Sequence, residues 1–314
     1  MRPQVQTHLQ TTIRRPITLT GIGLHRGRTA RMTLLPAAAE TGIWFKRVDV
    51  VGADPLIPAA YDHVTDTQLC TLLSNRDGVT ISTVEHIMAA LAGLGLSNVM
   101  IEVDGPEVPI MDGSSKVFVD AIIDAGMTVQ TAPRRIIRIL DRVEVQVGGA
   151  SAALSPASAF EVAFEIDFPD AAIGYQARSM KVANGAFVEH LANCRTFGRA
   201  YEVDAMRARG LALGGSLDNA IVVDGARVLN VDGFRHPDEC VRHKMLDAVG
   251  DLALAGAPIL GRYDGVRSGH GVTNQLLRTL FDRPDAWRME ECGPMDVYGL
   301  PGLVPQRDEL RRIA

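Results

Sequence analysis

The chain has 314 residues, 46% of them hydrophobic and 22% charged, the composition of a folded globular protein long enough for two ordinary domains. Its 37 acidic residues outnumber 32 basic ones for a net charge of -5, and no run of Lys and Arg interleaves with aromatics, which excludes a nucleic-acid footprint. No segment approaches the roughly 18 apolar residues that span a bilayer, so no stable membrane insertion and a cytoplasmic location are expected.

The N-terminal "MRPQVQTHLQTTIRRPITLTGIGLH" carries charges without an apolar core segment. Strands follow in "RMTLLP" and "TGIWFKRV", and "STVEHIMAALAGLG" is the first convincing helix, with Ser82 and Glu85 in capping-box spacing. A strand "NVMIEVDG", a turn "PEVPIMDGSS" and a helix "KVFVDAIIDAG" complete the first half, which reads as α+β. The polar, Pro-bearing "MTVQTAPRR" places a domain boundary near residue 130.

Strands resume in "IIRILDRVEVQVGG", "SAALSPAS" and "FEVAFEIDF", which read as consecutive antiparallel neighbours. Then come helix "AFVEHLANC", an irregular Gly-rich "RGLALGGSLDNAIVV", helix "CVRHKMLDAVGDL" and helix "VTNQLLRTLFD". Strands followed by helices occur twice, which predicts an α+β fold of two sheet-and-helix domains, 1–130 and 131–288, with a tail over 289–314. No residue-level repeat marks a duplication. The cysteines Cys70, Cys194, Cys240 and Cys292 form no C-x-x-C pair, so any bound metal must be held by His and carboxylates.

Three elements carry the chemistry. Glu239, His243, Asp247 and Asp251 recur every fourth residue and stack on one helix face, beside an apolar stripe of Met245, Leu246, Val249 and Leu252. His243 and Asp247 have the i,i+4 spacing that lets two side chains reach one ion, although the same pair also suits a helix-surface hydrogen bond. His86 falls in the first turn of its helix, where the dipole disfavours protonation and keeps the imidazole fit for a metal; Glu85 beside it is either a base or a cap. His270, between two glycines before a helix, is either a proton-handling group or an ordinary turn histidine. Together, two histidines and one carboxylate make a three-ligand site with an open position, the arrangement of a catalytic zinc. Such a donor set also accepts iron.

The strings "TGIGLHRG", "DTQLCTLL", "ISTVEHIMAALAGLGLSNVMIEVDGPEVPIMDGSS", "CRTFG", "GLALGGSLDNAIVV", "LNVDGFRHPDECVRHKMLDAVGDLALAG" and "SGHGVTN" resemble, in order over roughly residues 10 to 280, the UDP-3-O-acyl-N-acetylglucosamine deacetylases, zinc amidases of lipid A synthesis. The resemblance implies an active site between the domains and an insert in each, one before Cys70 and one from about "CRTFG" to "VVDGARVL". It implies zinc on His86, His243 and Asp247, Glu85 as general base, His270 as general acid and Asp251 orienting it. The implied substrate is a UDP-linked, 3-O-acylated N-acetylglucosamine, acted on by an expected monomer.

Around that centre, Thr196 is the candidate oxyanion donor and Phe197 a substrate contact, as is Cys70. Phe168 is a candidate for stacking on uracil, Gly215 and Ser216 for an acyl groove, and Lys244 and Arg267 for the diphosphate. The sequence departs from the family pattern twice: "VQVGGASAALS" lacks the expected basic residue, and Leu217 follows "GGS" where an aromatic is common. The rival readings are a zinc amidase for another N-acyl sugar and a non-catalytic nucleotide-sugar binding protein, in which the His/Asp row is structural.

Overall fold

A computed structural model describes residues 7–302. Two five-stranded sheets dominate. The first contains Ile17–Ile22, Thr29–Pro36, Val99–Val103, Ile43–Arg47 and Leu56–Pro58, side by side in that order. The second contains Val143–Val147, Ala150–Ser155, Arg262–Val266, Glu161–Asp167 and Tyr175–Lys181.

Numbered along the chain within each sheet, the strands lie in the same order, first, second, fifth, third, fourth, and in both sheets the fifth is parallel to the third while every other pair is antiparallel. The duplication that no residue-level repeat marks is therefore present in the topology.

Among the described residues there are six α-helices: α1 (Glu85–Leu94), α2 (Lys116–Ala125), α3 (Ala186–His190), α4 (Ala200–Ala208), α5 (Glu239–Ala253) and α6 (His270–Phe281). In each half one helix precedes the fifth strand and one follows it: α1 and α2 in the first, α5 and α6 in the second. The fold is α+β in two sheet-and-helix domains. α5 packs on the strands Glu161–Asp167 and Tyr175–Lys181, α6 on Val143–Val147 and Ala150–Ser155, and α1 and α5 lie against each other where the halves meet.

The α1–α5 contact is close because of what the two helices present. α1 is buried nearly all round, with Ile87, Met88 and Leu91 fully enclosed, and α5 turns Met245, Leu246, Val249 and Leu252 into the same core. Each such side chain contributes roughly 1.5–3 kcal/mol on burial. Gly250 sets the approach: a Cβ there would lie 2.0 Å from the Glu85 carbonyl oxygen. Only a residue without a side chain lets the helices meet this closely.

Between fourth strand and helix, each half carries an insertion. In the first it is the small sheet Val64–Asp66, Leu72–Ser74 and Thr80–Ser82; in the second it is α3, α4 and the sheet Phe197–Arg199, Ile221–Asp224 and Arg227–Val228.

Several expected elements differ. "IIRILDRVEVQVGG" is two strands in different sheets: Arg135–Ile139 pairs with Ile259–Leu260 and Trp287–Glu291, while Val143–Val147 joins the main sheet. The exposed Leu140, Asp141 and Arg142 break the run. The strands Ala150–Ser155 and Glu161–Asp167 are not neighbours, because Arg262–Val266, about a hundred residues later, inserts between them. A local pattern reports alternation, not which distant strand fills the gap. Of the segment 289–314, the first residues belong to the strand Trp287–Glu291, and 303–314 lie outside the described residues.

Candidate metal centre

The start of α1 and the middle of α5 bring His86, His243 and Asp247 together, with one potential ligand atom from each within 4.8 Å of the others. All three are buried. Asp247 Oδ1 lies 3.3 Å from His243 Nε2 and 3.6 Å from His86 Nε2, and it has no hydrogen-bond partner among the described residues.

The groups hydrogen-bonded to the cluster set its chemical state. His243 Nδ1 lies 3.0 Å from the Cys194 carbonyl oxygen, which can only accept, so the ring proton sits on Nδ1 and Nε2 presents a lone pair to Asp247. Burial pulls the His243 pKa down to about 4, against the opposing pull of Asp247, so the ring is neutral. Burial alone would raise the Asp247 carboxyl, but His243 and Lys244 hold it well below the usual carboxylate range. An ionised oxygen without a partner thus faces the lone pair of a neutral imidazole. A buried arrangement of this kind fits a metal cation, and two imidazoles with one carboxylate suit zinc or iron.

Lys244 Nζ donates to Asp247 Oδ2 at 2.8 Å, leaving Oδ1 as the oxygen turned to the cluster. In this structure the Lys244 ammonium is engaged by the candidate ligand itself.

Glu85 opens α1 and does not cap it. The helix has no side-chain cap, Ser82 Oγ donates to the Pro106 carbonyl, and Glu85 Oε2 accepts the Thr71 backbone N–H at 3.0 Å. The capping-box expectation fails because Ser82 ends a strand, and the chain turns through Thr83 at a φ of 60° before the helix begins. Burial raises the pKa of the Glu85 carboxyl.

His270 begins α6, and its Nδ1 lies 2.7 Å from Asp251 Oδ2. Burial would pull its pKa down, but the charge and hydrogen bond of Asp251, with Glu85 and Asp247 nearby, push it up to about 9. His270 is therefore a cation at neutral pH, and its Nε2 carries a proton that Asp251 does not hold. Thr71 Oγ1 donates to Asp251 Oδ1 at 2.6 Å. Thr71 thus ties Glu85 to Asp251, and sequence reasoning missed it because one threonine in "DTQLCTLL" carries no local signal.

Glu239, the first member of the row on α5, accepts from Arg195 N and Nε at 2.9 Å, from Arg195 Nη2 at 3.1 Å and from Arg235 N at 2.6 Å. It pins the segment whose Cys194 carbonyl orients His243 and whose next residue but one is Thr196. Along one helix face the row therefore runs from the Arg195 anchor, through two residues of the candidate metal cluster, to the partner of His270.

Thr196 bonds through its backbone to Gly113 and Ile221, while its hydroxyl makes no hydrogen bond among the described residues. Phe197 lies edge-on to Phe168 at 5.5 Å and to His243 at 6.3 Å. Thr196 and Phe197 also line a cavity of about 340 Å3 with Gly215, Ser216, Leu217 and His25. Both ring nitrogens of His25 are buried without a hydrogen-bond partner among the described residues, a feature the sequence did not signal. Cys70 is a thiol pushed up to about 12, chiefly by burial and then by Glu85. Arg267 is half exposed and paired with Asp167 at 2.7 Å.

A family model described as UDP-3-O-acyl N-acetylglycosamine deacetylase matches residues 10–282. The chain is 54% identical over 280 residues to the UDP-3-O-acyl-N-acetylglucosamine deacetylase of Phenylobacterium zucineum (strain HLK1), covering 89% of this chain and 96% of that one. It is 48% identical over 280 residues to the proteins of the same name from Pasteurella multocida (strain Pm70) and Haemophilus influenzae (strain 86-028NP), covering 88% of this chain and 92% of each.

Proposed function

The chain belongs to the UDP-3-O-acyl N-acetylglycosamine deacetylase family, and from that premise we propose that it hydrolyses the N-acetyl group of UDP-3-O-(3-hydroxyacyl)-N-acetylglucosamine, releasing acetate, as a zinc enzyme of lipid A biosynthesis. The observation that carries the metal dependence is the partnerless Asp247 Oδ1 facing the nitrogens of His86 and His243.

His86, His243 and Asp247 would hold the ion. Zinc there would supply Lewis acidity, polarising a carbonyl and lowering the pKa of water to about 7.

The protein's own groups do the rest. Glu85 takes the proton of the attacking water; its buried carboxyl has a raised affinity for that proton, and the Thr71 N–H leaves Oε1 free to receive it. As the water oxygen bonds to the acetamide carbon, the Thr196 hydroxyl is the donor available to the developing oxyanion. The C–N bond then breaks, and His270, charged and fixed through Nδ1 by Asp251, gives its Nε2 proton to the departing amine. The products are acetate and the free glucosamine amine.

The cavity lined by Gly215, Ser216 and Leu217 suits the 3-O-acyl chain, and Phe168 with Phe197 offers an aromatic wall to the uracil. No helix among the described residues is long and apolar enough to cross a membrane.

The test is acetate release from UDP-3-O-(3-hydroxydecanoyl)-N-acetylglucosamine before and after chelation, with zinc added back. Release that disappears with the chelator and returns with zinc is expected. No release from a folded, zinc-loaded sample would overturn the substrate assignment.

A further inference from the structure

A second cavity, of about 370 Å3, opens at the C-terminal ends of α1 and α5. Neither the His/Asp cluster nor Glu85, Asp251 or His270 lines it. Its walls come from both halves of the chain and are largely apolar: Ile43 and Trp44 from the first sheet, Phe160 and Met289 from the second half, Val249 and Leu252 from α5.

The wall carries one buried cation, shared with a neighbouring cavity lined by Gly95 and Gly302. Arg134 lines the cavity and is only 5% exposed. A guanidinium has five N–H donors and does not give up its charge. Among the described residues only Nη1 is engaged, with the Pro301 carbonyl oxygen at 3.2 Å, and Nε is buried without a partner. Burial pushes Arg134 down to about 10, against the opposing pull of Cys292. Its neighbour Arg135 lines the same cavity, is exposed, and likewise has no ion-pair partner among the described residues. The one carboxylate of the lining, Glu40, is exposed and occupied by the Gln10 amide at 2.7 Å.

A buried guanidinium with no counter-charge among the described residues is costly, and beside an open apolar cavity it offers a place for an anion. The required ligand is fixed by the walls: a planar monoanionic head for the guanidinium fork and an apolar body for the aromatic and aliphatic lining. We propose that this cavity is a binding site for a small amphipathic carboxylate of medium-chain fatty-acid size, its head on Arg134 and its chain along Trp44, Phe160 and Leu252. The site is separate from the deacetylation centre, so its occupancy can be read without an activity assay.

The test is calorimetric titration of the full-length protein with decanoate, acetate and decanol. Saturable binding of decanoate, with none for acetate or decanol, is expected. Arg134→Met should weaken decanoate roughly 10- to 100-fold, the loss that follows removal of a charge-assisted hydrogen-bond partner. Ala257→Phe, a half-buried lining position outside α5, should block the cavity and abolish binding without touching the arginine. Decanoate bound equally by the parent and both variants would sit elsewhere, the 340 Å3 groove included, and would overturn the proposal. So would an absence of binding to the parent, or an Arg134→Met protein that melts lower yet binds decanoate unchanged, since Arg134 would then be purely structural.

Discussion

Asp251 Oδ2 lies 2.7 Å from His270 Nδ1, while Asp251 Oδ1 accepts the Thr71 hydroxyl at 2.6 Å, so both oxygens of one buried carboxylate are committed and the imidazole has a single orientation. That pairing gives His270 a pKa near 9 despite its burial.

Replacing the carboxylate by an amide removes the charge and keeps the shape. In Asp251→Asn the His270 pKa falls, so the protonated acid is lost at lower pH. The alkaline limb of kcat/KM should move down by more than one pH unit, with zinc content unchanged, as a pH–rate profile and metal analysis would show. An unmoved limb would remove His270 from the role of acid.

The same pair should appear in stability. The folded pKa of His270 is about 9 against 6.5 for the free side chain. A raised folded pKa means that the stabilisation is fully present below pH 6.5 and is lost as pH rises through 9. Urea unfolding of the metal-free protein and of His270→Asn should therefore show a gap that is widest below pH 6.5 and closes by about pH 9. A constant gap across that window would mean that packing, not the ion pair, stabilises the residue.

Glu85 is proposed as the base, outside the candidate metal cluster. Glu85→Gln should bind zinc stoichiometrically and lose about 10²- to 10⁴-fold in turnover, the range for a positioned base. Metal analysis beside a single-turnover assay checks both halves, and full activity would discard the base.

His243 is proposed as a metal ligand. His243→Ala should fail to retain zinc through dialysis while keeping its circular dichroism spectrum, because among the described residues its ring meets only the Cys194 carbonyl, the edge of Phe197 and the cluster itself. Normal zinc content would refute the assignment.

Glu239 makes no contact with the cluster and should act through folding. Glu239→Ala strands the Arg195 guanidinium, itself 5% exposed, and removing one partner of a buried pair costs about 3–5 kcal/mol. Denaturant unfolding measures this, and a loss below 1 kcal/mol would show that solvent replaces the carboxylate.

Much of this was legible locally. The His243/Asp247 spacing is a property of helical geometry, and the residues Glu85 and His86 stand adjacent at a helix start. The α+β class follows from strands and helices that alternate in blocks. Thr71, by contrast, is distant in sequence from Asp251 and became visible only once the small sheet before α1 laid it across both carboxylates. The capping reading of Ser82 and Glu85 failed for a related reason: the same short spacing serves a cap or a site, and the tertiary position of Thr71 decided between them.

The sequence by itself determined which side chains could share a helix face, because a pitch of 3.6 residues is local and needs no partner. Only the tertiary structure decided that Arg262–Val266 separates two strands that are near in sequence, that the two halves repeat one topology, that Glu239 anchors the Arg195 segment, and that Arg134 is buried without a counter-charge among the described residues. Each of these depends on contacts between distant segments. Strand order, burial and electrostatic environment are properties of what a residue meets in space, and no periodicity along the chain encodes them.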